Sequence, residues 1–229
     1  KELDALKVIL NFYRRRRDPR FAIQIYREHY TASRVRLIAD QGVRSLSPME
    51  LGKFFQELKA QKNPLYFPMA LTQFGLSLRI GEVCGLKWSD VSFETMSVRI
   101  ERVIVWDNIT HEPRTKDCPK NGKARVLALP EILARVLQAL KAQSQGDLVF
   151  HMNGEPFIRK SVANAYNRAL LQCGITHVRG THLLRKTSAT QANKVTGDFF
   201  AVSLNLGHAS PEETKRYVEE VSESNRKVA

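Results

Sequence analysis

Three cysteines in 229 residues, Cys84, Cys118 and Cys173, are too few and too scattered to staple a fold. None belongs to a Cys-x-x-Cys pair or stands at ligand spacing from a histidine, so neither a disulfide framework nor a zinc site is indicated. The three read as buried or incidental thiols. No apolar run approaches the roughly 20 residues that cross a bilayer, and no signal-peptide pattern opens the chain. No clustered-carboxylate motif stands out, which weighs against two-metal nucleases and transposases, whose ions need acidic ligands. Internal repeats and low-complexity tracts are also missing. The expectation is a soluble, cytoplasmic protein that uses no cofactor and no metal.

Acidic residues are the other shortage. Against 36 Lys and Arg stand 23 Asp and Glu, a net charge of +13. Such an excess favours a polyanion, because each phosphate neutralised releases counterions. Nucleic acid is the leading partner and an anionic membrane surface a distant second. The 43% apolar and 26% charged content is ordinary for a globular protein, with enough length for one substantial core plus an appendage. The chain enters a helical pattern directly at Lys1 without an initiator methionine, so a piece of a longer protein is expected.

Residues 1–40 read as short basic helices (Leu3–Tyr13, Arg20–Tyr30 and Ser33–Ala39), the first ended by Arg14-Arg15-Arg16-Arg17-Asp18-Pro19. The main domain is placed at 45–229. Ser47-Pro48-Met49-Glu50 is a capping box opening a helix to about Gln61. A second helix from about Pro64 runs through Leu78 and delivers Arg79 at its far end. From Val91 the period becomes two, giving strands at 96–100, 103–105 and 125–129 around a long basic hairpin, 106–124. Further helices are expected at Glu131–Gln143, Ile158–Cys173, Thr181–Lys194, Asp198–Leu206 and from Ser210 onward, where Ser210-Pro211-Glu212-Glu213 forms a second capping box. The class is mainly α with a small antiparallel β-sheet, α+β.

Several pieces then form an ordered set. Tyr217 follows His208 by nine residues, and Arg185 of Thr181-His182-Leu183-Leu184-Arg185 precedes His208 by 23. His182 and Arg185, three apart on a helix, can reach one phosphate together. Arg79 lies in an otherwise apolar stretch with Glu82 three residues on. It is either tied structurally to Glu82 or held by Glu82 with its planar fork facing a ligand, and a bidentate donor suits a phosphate. A tyrosine supplies an attacking oxygen, and the cations supply what a phosphodiester transition state needs.

This set resembles the catalytic domain of a tyrosine recombinase of the phage integrase family over about residues 45–220. The Arg79 segment resembles the family's first box, His182-Leu183-Leu184-Arg185 its second, and Leu206-Gly207-His208 with Tyr217 its close. The resemblance implies that Arg79 and Arg185 clamp the scissile phosphate, that His182 and His208 bond to it or assist proton transfer, and that Tyr217 forms a 3′-phosphotyrosyl link. It also implies a hairpin lysine as general acid for the departing 5′ oxygen. The pattern Lys120…Arg125…Leu129 selects Lys120, with Lys116 as runner-up. Lys116, Lys123, Arg125 and Lys186 are candidate DNA contacts. Lys186 stands where the family often has histidine, and Ser77 where it often has glycine.

By the same resemblance the partners are double-stranded DNA, a homo-tetramer on paired sites and accessory DNA-bending proteins, with residues 1–44 the end of a preceding DNA-binding domain plus linker. Integration or excision of a mobile element is the expected reaction. A Xer-like resolvase, a type IB topoisomerase and a catalytically silent DNA-binding module are the alternatives.

Overall fold

The structure is a computed structural model that describes residues 8–12, 16–18, 45–107, 109–117, 124–198 and 206. Two compact units divide the chain, Lys1–Gly42 and Val43–Ala229. In the first, residues 8–12 are helical and the Arg16 guanidinium stands over the Phe12 ring. The remainder of the expected helices within 1–44, and those over 198–206 and from Ser210, lie outside the described residues, apart from residues 198 and 206.

The second unit opens on helix α1, Pro48–Ala60. Its capping box is the expected one: the Ser47 hydroxyl accepts the Glu50 N–H, and the Glu50 carboxylate accepts the Ser47 N–H at 2.8 Å. Leu51, Phe54 and Leu58 recur at helical spacing and are buried. Helix α2, Tyr66–Gly75, ends earlier than its apolar pattern. Ser77 turns left-handed at φ 53°, its N–H bonds Phe74 O and the Leu78 N–H bonds Gln73 O. Those two bonds are the double closure of a Schellman C-terminus, which needs a left-handed residue one past the cap. Arg79 is therefore not on α2: it is extended and caps a new short helix, α3, Ile80–Cys84.

After the 3₁₀ turn Trp88–Asp90, strands β1 (Val91–Ser92), β2 (Ser97–Ile100) and β5 (Arg125–Ala128) form one antiparallel sheet in the order β1-β2-β5. Strands β3 (Arg102–Trp106) and β4 (Pro113–Asp117) form a separate hairpin, with Val103 opposite Lys116. The expected basic hairpin of 106–124 thus contains a strand that polar composition concealed: β4 is Pro-Arg-Thr-Lys-Asp, and its last four residues are exposed. Its turn is fastened by Asp107, whose carboxylate accepts the Ile109 and Thr110 N–H groups.

Helix α4, Glu131–Lys141, is followed by the small hairpin β6 (His151–Met152) and β7 (Glu155–Pro156), then α5, Arg159–Gln172, and α6, Leu183–Thr196. Helix α1 packs on α2 and α5, α2 packs on α4 and α6, and α3 packs on β3. One core fills the space between them, with Phe54 edge-on to the buried Tyr166 ring at 5.6 Å. Tyr66 packs partly against Phe157. The α+β class is as expected, with the strands in three small antiparallel sheets among the described residues. Cys84 is buried in the core, where burial pushes its thiol up to about 12; Cys173 is half-buried.

Candidate active site

Glu82 is the centre of the site. It is 1% exposed on α3, a carboxylate that could not be buried unpaired. Its Oε2 accepts the backbone N–H of Arg79 at 2.9 Å, and its Oε1 accepts Arg79 Nη1 at 3.2 Å. Arg125, the first residue of β5, grips the other side with Nη1 on Oε1 at 3.1 Å and Nη2 on Oε2 at 2.9 Å. Arg185 Nη1 lies 3.9 Å from Oε2. Burial would raise the Glu82 pKa, but the Arg125 bonds and charge, the Arg79 N–H and the Arg185 charge together hold it below the ordinary carboxylate value.

Three guanidiniums therefore converge on one negative charge. Of the two readings the sequence left for Arg79, tied to Glu82 or held by it toward a ligand, the geometry shows the tie to Glu82. One terminal nitrogen is engaged, while the side chain keeps 21% exposure. Arg185 is 2% exposed; Nη1 donates to Ser77 O at 2.7 Å and Nη2 to Leu206 O at 2.6 Å. The left-handed turn at Ser77 thus aims a carbonyl at the second arginine. Its hydroxyl also meets that of Ser188 on α6 at 2.6 Å.

His182 caps the N-terminus of α6, and the Lys186 N–H bonds its carbonyl. The preceding residue is anchored by Gln73, whose side-chain amide donates to Thr181 O at 2.9 Å. His182 as a whole is exposed, yet its imidazole is partly withdrawn from water. Partial removal from water, then the charges of Arg159, Arg185, Arg79 and Lys186, lowers its pKa. The neutral imidazole is favoured.

Close packing keeps α3 in place. A Cβ at Gly81 would lie 2.4 Å from Ile104 O, so β3 approaches the helix at a distance only glycine permits. Lys116 is exposed on β4, beyond β3 from this contact. Arg125, a candidate DNA contact by sequence, has both terminal nitrogens on Glu82 and 14% side-chain exposure. The reason is register: the strand start at 125 faces the buried carboxylate. Lys186 is half-buried beside His182. Lys120, Lys123, His208 and Tyr217 lie outside the described residues.

Sequence reasoning passed over Arg159, at the start of α5, whose charge acts on His182. The signal available was a helix opening on Arg-Lys with no acid in its first turn. Among the described residues no group of three or more His, Cys, Asp or Glu could hold a metal ion, and no helix is long and apolar enough to cross a membrane.

Residues 44–223 match the phage integrase family model. A tyrosine recombinase XerC-like protein of Caldanaerobacter subterraneus subsp. tengcongensis is 27% identical over 191 residues, 73% of this chain and 48% of that protein. The tyrosine recombinase XerC of Myxococcus xanthus is 28% identical over 150 residues, 64% and 47%. The chain thus spans about half the length of these curated relatives. In fold it is similar to the Tn1549 transposon integrase in complex with a circular intermediate DNA, with a TM-score of 0.68 and 19% identity over 78% of this chain and 62% of the other. The XerH site-specific recombinase bound to its difH substrate gives 0.61 at 19% identity, over 80% and 53%. The catalytic domain of bacteriophage HP1 integrase gives 0.55 at 19%, over 78% and 88%.

Proposed function

Since this chain belongs to the phage integrase family, we propose that it cleaves and rejoins double-stranded DNA at specific sites through a 3′-phosphotyrosyl intermediate on Tyr217. The observation that carries the reading is the convergence of Arg79 and Arg185 on Glu82, with the neutral-leaning His182 beside them. Phosphoryl transfer asks mainly for positioning and for neutralisation of charge on the phosphate oxygens, which fixed guanidiniums provide.

In this reading Arg79 and Arg185 hold the two non-bridging oxygens of the scissile phosphate. Arg185, at 2% exposure, meets phosphate by exchanging a backbone carbonyl partner for a phosphate oxygen. The Tyr217 hydroxyl attacks phosphorus. Only about one free tyrosine in a thousand is ionised at neutral pH, so the proton passes to a base, for which His182 with its lowered pKa is suited. The P–O5′ bond breaks as Lys120 protonates the leaving oxygen. A 5′-hydroxyl from another strand then attacks the phosphotyrosine and expels Tyr217, so bond energy is conserved and strands are exchanged without a nucleotide cofactor. His208 assists at the phosphate.

Residues 1–44 are assigned to the end of a preceding DNA-binding domain plus linker, with a tetramer on paired sites as the working assembly. The reading places the enzyme with integration or excision of a mobile element. A Xer-like resolvase is the second reading, favoured by the curated relatives being named XerC. The test is a phosphorothiolate-trapped duplex drawn from DNA flanking its own gene, incubated in EDTA with the protein. A denaturant-resistant adduct that Tyr217→Phe abolishes is expected; an adduct kept by that variant overturns the assignment.

A further inference from the structure

Gln73, in the last turn of α2, is a polar side chain at 1% exposure, where leucine or methionine would fill the space with no polar atom to satisfy. Its Nε2 donates to Thr181 O at 2.9 Å, while its Oε1 is buried and accepts no hydrogen bond among the described residues. Half of the amide is therefore a burden on stability. The half that is used holds the residue immediately before His182.

The backbone of Gln73 serves the turn that delivers Arg79, since its carbonyl accepts the Leu78 N–H at 3.0 Å. Farther along the same segment, Ser77 O accepts Arg185 Nη1 at 2.7 Å, and the Ser77 and Ser188 hydroxyls meet at 2.6 Å. Thr181, Arg185 and Ser188 follow one another at helical spacing, so the three contacts run along one side of α6 and its entrance. The contacts at Arg185 and Ser188 lie beyond His182, and of the three only the Gln73 bond lies ahead of it. Asn167 Oδ1 also accepts the Gly180 N–H at 2.8 Å, from an exposed position on α5.

We propose that Gln73 is a positioning residue for His182: its side-chain amide fixes the carbonyl of Thr181 and so sets where the imidazole stands relative to Arg79 and Arg185. This rests on the function proposed above, in which that imidazole receives the tyrosine proton. A reacting group misplaced by about 1 Å costs up to about a hundredfold in rate, and a histidine at a helix N-cap needs its backbone fixed on both sides. Downstream, α6 fixes it; upstream, the Gln73 bond does. The charged groups that bear on the imidazole are Arg159 from α5, Arg185 and Lys186 from α6 and Arg79 ahead of α3, all cationic. A displacement of His182 therefore changes its titration.

The experiment compares wild-type protein with Gln73→Met, which keeps the length of the side chain and removes the amide. One unpartnered buried oxygen, Thr181 O, then replaces another, so the unfolding equilibrium constant in urea is expected to move by about tenfold or less. The His182 NMR titration midpoint is expected to rise toward the ordinary histidine value as the imidazole moves away from the cations and into water. Adduct formation with the phosphorothiolate duplex at saturating DNA is expected to fall about tenfold, with DNA affinity unchanged. Ser188→Ala, which removes a contact beyond His182, is the control and should leave the midpoint in place. An unchanged midpoint or adduct rate in Gln73→Met, or an equal midpoint shift in Ser188→Ala, would overturn the proposal. Should Gln73→Met fail to fold, Gln73→Leu is read in the same way. If wild-type protein forms no adduct, the proposed function fails, and the midpoint comparison still decides whether Gln73 places His182.

Discussion

Glu82 and Arg125 face each other across the seam between α3 and β5, with two nitrogen–oxygen bonds of 3.1 and 2.9 Å closing one fork on the other. Forty-three residues separate them in the chain. A carboxylate at 1% exposure is tolerable there because this pair and the Arg79 bonds satisfy both of its oxygens.

Replacing that carboxylate by an amide leaves three guanidiniums without a counter-charge. We predict that Glu82→Gln destabilises the protein by about 3 kcal/mol or more at neutral pH. The folded-state pKa of Glu82 is lowered, so its contribution is fully present above the unfolded carboxylate value and is lost as pH falls through the folded value. The gap between wild type and Glu82→Gln in chemical denaturation should therefore narrow in acid. A gap that is constant from pH 7 to pH 3 would contradict this.

Gly81→Ala places a methyl 2.4 Å from the Ile104 carbonyl oxygen, a backbone atom that cannot swing aside. The expected cost is about 2 kcal/mol, typical of overpacking a close contact. A melting temperature within error of wild type would show that α3 and β3 separate more easily than the structure implies.

For His182 the shift is also downward, caused first by removal from water and next by Arg159. Its NMR titration midpoint should fall below the ordinary histidine value, and Arg159→Gln should move it upward. The sign for stability follows. Between the folded and unfolded pKa values the unfolded chain binds the extra proton, so His182 carries no penalty above the unfolded value and a growing one as pH falls toward the folded value. A midpoint insensitive to Arg159→Gln would remove that arginine from the site.

Ser77 holds a left-handed conformation at φ 53° that costs an L-residue about 1 kcal/mol or more. Ser77→Gly and Ser77→Ala both lose the Ser188 bond, but only glycine also relieves the backbone. The glycine variant should be the more stable of the two by about that amount in urea unfolding; equality would mean that the turn is not strained.

Much of this molecule was legible beforehand because the signals are local. The capping box at Ser47 and Glu50 was readable from two residues three apart, and it formed as written. Helices α4 and α5 follow their apolar spacing to within a residue or two at most ends. Arg79, Glu82, His182 and Arg185 were picked out by type and spacing, and the fold brings Arg79 and Arg185 onto Glu82 and sets His182 within reach of their charges. Strand β4 escaped because it is solvent-facing and polar, so no alternation of burial marks it. The end of α2 was misplaced because apolar periodicity runs on through Leu78, whereas the chain leaves the helix where Ser77 supplies a left-handed residue.

The sequence alone determined the helical boundaries set by caps and apolar period, the basic excess and the identity of the residues proposed to meet a phosphate. Those properties depend on composition and on neighbours within a turn or two. Tertiary structure decided what Arg125 does, which carbonyls hold Arg185, and which arginine presses on His182. Those outcomes depend on strand register and on the approach of β3 to Gly81, and such long-range contacts are set by the packing of one core rather than by any short stretch of residues.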